Sequence, residues 1–415
     1  MKIKYIYIGG WFQRTMLQLS EIYDFLRGKG SKLALDPKVL NNNLKNLDIV
    51  DLNYKISGEE YITFTTSSNI SIKIFEDGLI VLKTKKDAKT TMKADIKKLT
   101  DYYEKRFSVA INYLFSLGAP VPKELAKIET IYPYFIVCEN ASKTEMADLL
   151  KQASEEQKYY TFSNKKYEVM RGDKYYFINN FLKADSLIEK YIQEEIFIRE
   201  FKGQMHRYLN IHRIIWEKID QVKENETIKG SDILKFATKI ESYAKTINLI
   251  DGRIKQMATY LPTRESIAKN DAELIEFLNI SGYKYETLKD TLNYIQYLWN
   301  MTKEYVQSAQ KLFAGLKSDV TSKSISNLTI VTSVTAGATL LGLFTKSAPT
   351  LSIHGLIYCG ILVLIGWGAN RLLKIISRNR KYKISDINFD NNIQFDKKVK
   401  KLPKEEQKDK DKKDA

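Results

Sequence analysis

Residues 324–345 read SISNLTIVTSVTAGATLLGLFT, 22 positions without a charge, and residues 347–370 read SAPTLSIHGLIYCGILVLIGWGAN, 24 more, with Lys346 alone between them. At about 1.5 Å per residue each run covers roughly 30 Å as a helix, the thickness of a hydrocarbon core. An uncharged run of that length reads as a transmembrane span rather than a soluble core helix. A membrane protein with two spans is expected.

Flanking charges set the direction of those spans. Arg371, Lys374, Arg378, Arg380, Lys381 and Lys383 follow the second run, and Lys311, Lys317 and Lys323 precede the first. The positive-inside rule therefore predicts a multi-pass inner-membrane protein with both termini cytoplasmic and the Lys346 loop outside. The amino terminus reads as a strand rather than a signal peptide, so the bulk of the chain is expected in the cytoplasm. A formal charge of +16 suits anionic lipid headgroups or nucleotides, although the juxtamembrane segment supplies part of it. Cys138 and Cys359 are the only cysteines, which argues against a disulfide framework or a thiolate metal site.

The fold class that follows is an α/β cytoplasmic domain, then a long helical hairpin, then a stalk helix continuing into two C-terminal transmembrane helices. Residues 1–183 alternate strand-like and helical runs. The strand Lys2–Ile8 is expected to turn at Gly9-Gly10 into a helix, and runs at Tyr61–Thr66, Ser71–Phe75 and Leu79–Thr84 are separated by turn chemistry and predict a meander. A helix is expected from Thr90 to Leu117, a strand at Tyr132–Glu139, and a last hairpin across Lys158–Ile178. Residues 184–282 predict a helical hairpin whose second helix ends before Pro262. Residues 283–323 form the stalk, 324–373 the two spans, and 374–415 a basic segment and a disordered tail.

Leu288, Leu292, Ile295, Trp299, Thr302, Val306, Ala309, Phe313, Leu316 and Val320 alternate spacings of four and three. That is a coiled-coil or helical-stalk signal, and nothing breaks it before the first span. One helix of about 60 residues, from near Tyr283 to Phe344, is predicted. On it Thr329, Thr332, Thr335 and Thr339 share a side, and the same spacing continues down through Ser322 and Ser318 to Lys311, Gln307, Asn300, Gln296 and Asn293. A polar line running through an apolar span fits the wall of a water-filled pore; the competing reading is packing between membrane helices. Two spans cannot enclose a path, so conduction requires a homo-oligomer. With axes about 10 Å apart, four helices leave roughly 2 Å of pore radius and five about 3.5 Å, which favours a tetramer or pentamer.

This order of elements resembles the CorA family of divalent-cation channels over about residues 1–385. CorA members carry Gly-Met-Asn at the end of the first span, where this chain has Gly342-Leu343-Phe344-Thr345-Lys346, and its last methionine is Met301. With its Tyr7-Ile8-Gly9-Gly10-Trp11-Phe12 opening, the chain is most similar to the CorA-like membrane effectors found with type III CRISPR systems. That resemblance implies a nucleotide messenger, such as the adduct of S-adenosylmethionine with AMP, that opens the membrane part. It also leaves Mg2+ as a candidate transported cation. Constitutive divalent-cation transport and a non-conducting coiled-coil tether are the alternatives.

Two ligand sites are suggested by residue type. Gly9 and Gly10 after a strand could let a phosphate approach, with Trp11 stacking and Arg14 supplying charge; a simple chain turn is the plainer account. Lys165, Lys166, Arg171 and Lys174 interleave with Tyr159, Tyr160, Tyr167, Tyr175 and Tyr176, a pattern suited to a nucleotide, and equally found on solvated hairpins. His206 and His212 do not share a helix side, and His354 lies near the second span. No covalent cofactor, no direct nucleic-acid partner and no catalytic residue are expected, since phosphate-loop, metalloprotease and nucleophile-elbow motifs are missing from the sequence.

Overall fold

The computed structural model describes residues 2–12, 17–29, 35–116, 133–153, 160–223, 227–344 and 380–383, with single positions between 364 and 379. It divides into two compact units. The first joins residues 1–214 to 245–303, and the second joins 215–244 to 304–415.

In the first unit, strands β1 (Lys2–Trp11), β2 (Ile49–Lys55), β3 (Tyr61–Thr66), β4 (Ile70–Phe75), β5 (Leu79–Lys85), β6 (Tyr134–Glu139), β7 (Tyr160–Ser163), β8 (Tyr167–Arg171) and β9 (Tyr175–Asn180) make one sheet. Its order is β2-β3-β4-β5-β1-β6-β9-β8-β7. The β3-β4-β5 part is the meander read from the turns, and β7-β8-β9 extends the expected last hairpin to three strands. Among the described strands only β6 and β9 run parallel.

Period-two alternation decides what each side of the sheet holds. Ile6 and Ile8 of β1, Ile62 and Phe64 of β3, and Ile72 of β4 join a core with α1 (Leu19–Leu26), α2 (Pro37–Leu47), α3 (Met92–Tyr102), α4 (Ser108–Ser116) and α5 (Lys143–Gln152). A π-helical turn, Tyr103–Phe107, joins α3 to α4 and buries both of its end residues, so the helix expected from residue 90 runs on with one widened turn. The caps follow the sequence chemistry. Asp36 accepts from the Lys38 and Val39 amides before Pro37, and Ser142 with Glu145 forms a reciprocal box.

The other side of the sheet takes α6 (Asp185–Lys223), α7 (Gly230–Asn270) and the head of α8 (Ile275–Phe344). Lys4 pairs with Asp185 at 2.6 Å, and Lys73 and Lys83 both pair with Glu189, so charges from three strands clamp the start of α6.

The glycine pair does not turn the chain. Gly9 and Gly10 lie inside β1, opposite Val81 and Ile80, and both are buried. A Cβ at Gly9 would stand 2.5 Å from the Ile80 carbonyl oxygen and 2.7 Å from the Ile196 side chain, so glycine is what lets α6 approach the sheet. Proline likewise fails to stop α7, which continues through Pro262 to Asn270.

The heptad stripe of α8 is used within the chain. Leu288, Leu292, Ile295, Trp299, Thr302, Val306, Ala309 and Phe313 are all buried. In the first unit His212 meets the Trp299 ring edge-on at 5.7 Å, and burial lowers its pKa, which makes it a packing histidine. The helix is longer than expected, 70 residues against about 60, because it starts at Ile275.

In the second unit Trp216 of α6 stacks on Tyr305 of α8 at 4.5 Å, and Tyr305 donates to Asp220 at 3.0 Å. Here β10 (Thr227–Lys229), between α6 and α7, pairs antiparallel with β11 (Lys381–Lys383), and the Gly230 amide donates to the Arg380 carbonyl. Ile228 and Tyr382 face each other in register and are both buried. The chain just beyond the second uncharged run is thereby tied to the tip of the helical hairpin.

Among the described residues no helix is long and apolar enough to cross a membrane. The backbone of the first uncharged run is helical to Phe344, but many of its side chains, and nearly all of the second run, lie outside the described residues, as do His354 and the tail.

Replacing Gly9→Ala is expected to lower stability by about 1–3 kcal/mol, because a backbone carbonyl cannot yield to the new methyl; thermal melting of the purified chain checks this. Directly opposed antiparallel residues have Cα atoms about 4.5–5.5 Å apart, within disulfide reach. An Ile228→Cys, Tyr382→Cys pair in a Cys359→Ser background is therefore expected to cross-link under mild oxidation, read as a gel shift after cleavage at an inserted site between them.

Candidate functional site

Helix α6 has no solvent face two turns in from its start. All eight residues from Tyr191 to Ile198 are buried, so the polar run Gln193-Glu194-Glu195 goes inside with them. A carboxylate placed there needs a cation and hydrogen-bond donors. Two partner sets provide them, one on each side of the helix.

Glu194, 1% exposed, forms an ion pair with Arg264 on α7, Nε to Oε1 at 2.8 Å, and accepts a hydrogen bond from the Tyr285 hydroxyl on α8. Nη1 of the same arginine reaches Glu59 at 3.2 Å and Asp77 at 3.3 Å, carboxylates from the two ends of the β3-β4 hairpin. Its guanidinium also lies over the Phe75 and Phe197 rings. Burial pushes the Glu194 pKa up, and the Arg264 charge opposes that shift. Burial, followed by the Glu194 charge, raises the Tyr285 phenol. The sheet and three helices meet at this one cation.

Glu195 faces the other way and bonds Nζ of Lys284 at 2.6 Å. It borders a cavity of about 350 Å³, within the range of small-molecule sites. The walls are Phe162 and Tyr167 from β7 and β8, Tyr176 from β9, Tyr191 from α6, and Phe277 and Ser281 from α8, with Arg171, Tyr283 and Lys284. Successive rings touch: Phe162 to Tyr167 at 5.9 Å, Tyr167 to Tyr191 at 5.5 Å, and Tyr191 to Phe277 at 5.4 Å. Arg171 lies over the Tyr176 ring at 5.3 Å. The Tyr176 phenol, held up in pKa by burial and by Glu195, stays a neutral donor. A cavity of stacked rings with two cations and one carboxylate can hold a flat molecule carrying an anionic group.

Of the cations expected from the sequence only Arg171 reaches this cavity, together with Tyr167 and Tyr176 of the rings interleaved with them. Lys165 and Lys174 are exposed elsewhere on the β7-β8-β9 segment, and Lys166 is half-buried in the turn where Asn164 accepts from the Lys166 and Tyr167 amides. Gly9, Gly10 and Trp11 make no anion cradle. The Trp11 ring packs against Phe197, Phe201 and Tyr260, and its Nε1 donates to the Asp77 carbonyl at 2.9 Å, so it fastens β1 to α6 and α7. Arg14 lies outside the described residues. Tyr191, Glu195, Phe277 and Lys284 were not anticipated, because they sit on helices far from the hairpin in sequence. The usable signal was the polar triplet at 193–195 between Tyr191-Ile192 and Ile196-Phe197-Ile198.

On α8, Ser318, Ser322, Thr329 and Thr332 are exposed, as are Asn293, Asn300, Gln307 and Lys311 below them. The Thr329 hydroxyl donates to the Ile325 carbonyl at 3.0 Å and that of Thr332 to the Thr329 carbonyl at 2.9 Å. Each hydroxyl oxygen keeps acceptor capacity on the outer surface. Thr335 and Thr339 continue the helix, with side chains outside the described residues. Among the described residues no group of three or more His, Cys, Asp or Glu is placed to hold a metal ion.

No protein-family model and no curated protein matches the chain. Among solved structures, the CorA magnesium transporter from Methanocaldococcus jannaschii is similar over 60% of this chain and 91% of its own, at 11% identity and a TM-score of 0.28. The full-length CmaX protein is similar over 60% of this chain and 90% of its own, at 12% identity and a TM-score of 0.23. At these scores the likeness carries no weight of its own.

Removing the shared cation exposes what it neutralises. Arg264→Met is expected to cost about 3–5 kcal/mol, since it leaves Glu194 buried and unpaired; the melting temperature of the detergent-solubilised chain should fall steeply, and fall less for Arg264→Met combined with Glu194→Gln.

Proposed function

We propose that this chain is one subunit of a homo-oligomeric, CorA-type ion channel of the inner membrane, opened from the cytoplasmic side by a nucleotide messenger and serving type III CRISPR antiviral defence. The observation that carries the reading is α8. It is unbroken for 70 residues, begins at the wall of the cavity and ends at Phe344, within the first uncharged run. At 1.5 Å per residue it spans about 105 Å, so the ligand-sized cavity and the pore-forming segment share one helix.

The remaining parts support the same reading. The uncharged runs 324–345 and 347–370 are each long enough to span, and the basic residues after them hold both ends in the cytoplasm. Leu364 and Trp367 in the second run, and Leu372, Ile375 and Ile376 just after it, are exposed apolar residues of the kind lipid covers. Thr329, Thr332, Thr335 and Thr339, continued by Ser322 and Ser318, face the pore of a tetramer or pentamer. The Lys346 charge and the absence of Gly-Met-Asn from the chain set it apart from housekeeping magnesium uptake. The protein acts by conducting ions and has no catalytic centre in this reading.

Gating then requires only that the messenger prefer one arrangement of α8. About 3 kcal/mol of preference per complex shifts the populations roughly 150-fold. The adduct of S-adenosylmethionine with AMP offers rings, a phosphate and cationic groups to such a cavity.

Purified protein in liposomes should pass ions when that adduct is added to the cytoplasmic face, and Thr332→Leu or Thr339→Leu should remove most of the triggered flux by drying the pore. Flux that is equal with and without the adduct would point to constitutive transport, and no flux in either case to a tether.

A further inference from the structure

The geometry points to the ring-walled cavity as the binding site for a nucleoside phosphate, with Lys284 changing partners from Glu195 to the phosphate when the ligand enters. This deepens the channel reading and rests on it only for the consequence in the membrane; the binding itself can be measured alone.

Charge is the first argument. Arg171 has no carboxylate partner among the described residues; its guanidinium lies over the Tyr176 ring at the edge of the cavity. Lys284 is ion-paired with Glu195, which borders the same space, and lies over the Phe277 ring. Two cations against one carboxylate leave a positive excess in a site walled by aromatic rings, where an anion is held more strongly than in open water.

Shape is the second. Phe162, Tyr167, Tyr191 and Phe277 form a continuous run of ring contacts, the surface on which a base stacks. Glu195 is 5% exposed, and once Lys284 turns to the phosphate its carboxylate is free to accept from ribose hydroxyls. Base, ribose and phosphate thus each find a partner of matching chemistry within about 350 Å³. An aliphatic anion would use only the cations, and an uncharged aromatic only the rings.

Sequence adjacency supplies the consequence. Glu195 and Lys284 join α6 to α8 on the cavity side, and their chain neighbours Glu194 and Tyr285 join the same helices on the buried side, where Arg264 holds them. A ligand that recruits Lys284 undoes one tie and leaves the other as a pivot. Lys284 is therefore a positioning residue for the head of α8 as well as a ligand contact.

The test is equilibrium binding of AMP, and separately of the S-adenosylmethionine–AMP adduct, to the full chain in nanodiscs by calorimetry. Arg171→Ala and Lys284→Met should each weaken binding by about tenfold or more, the loss of one charge-assisted hydrogen bond. Glu195→Gln should tighten it several-fold, because it releases Lys284 and keeps an acceptor oxygen. Lys174→Ala, on the same strand hairpin but outside the cavity, should bind as wild type. The proposal is overturned if neither probe binds, if Arg171→Ala and Lys284→Met bind like wild type, or if Lys174→Ala loses as much. Should Glu195→Gln melt early, the Lys284→Met, Glu195→Gln double variant decides: partner exchange predicts that adding the glutamine no longer tightens binding. Intact binding without flux would sink the channel reading and leave the site standing; adduct-triggered flux unaffected by Arg171→Ala and Lys284→Met would do the reverse.

Discussion

A guanidinium that is 2% exposed has to be neutralised on every side, and Arg264 meets that demand by drawing together Glu59 and Asp77 from the sheet, Glu194 from α6 and, through Glu194, Tyr285 from α8. Hydrophobic burial is non-directional and would permit α6, α7 and α8 to slide along the sheet. A buried cation with three acceptors permits one register, because any shift strands a charge. The Gly9 contact, which leaves no room for a Cβ between β1 and α6, constrains the same interface sterically. Charge and close packing together make the first unit one body.

The position of the cavity follows from that register. Glu194 must point to Arg264, so Glu195, a helical step of about 100° further round, must point away from it. On that side it meets the β7-β8-β9 segment and Lys284. The cavity is the neighbour of the structural hub by one residue on each of two helices, Glu195 beside Glu194 on α6 and Lys284 beside Tyr285 on α8.

Periodic features were legible in the sequence and non-local ones were not. The meander was visible because Ser67-Ser68-Asn69 and Glu76-Asp77-Gly78 are turn sequences between alternating runs, and the stalk because its apolar spacing never slips. Gly9-Gly10 misled, because a glycine needed for close approach of another element looks the same in sequence as one needed for a turn. Pro262 misled for a related reason: a helix held by tertiary contacts on both sides tolerates the lost hydrogen bond that would end an isolated one. The cavity was only half visible, through Arg171, Tyr167 and Tyr176 of the strand segment, since its other wall comes from α6 and from α8, about a hundred residues further along, and no local pattern joins the two.

Helix α8 carries three separate demands on its surface. The heptad positions Leu288 to Phe313 are consumed by packing within the chain, so that stripe is not available to zip copies together as a simple coiled coil. The polar line from Asn293 to Thr332 lies on a different side and is exposed except at Gln296, which is half-buried. Between them Tyr283, Tyr294, Tyr297 and Met301 remain open, spaced eleven, three and four apart, so that they share a third side. A helix whose only task was to anchor a soluble domain would need an apolar stripe and nothing else. A packed side, an exposed polar side and an aromatic side on one helix would let it pack against its own chain, border the aqueous path of the proposed channel and meet a neighbouring copy at once.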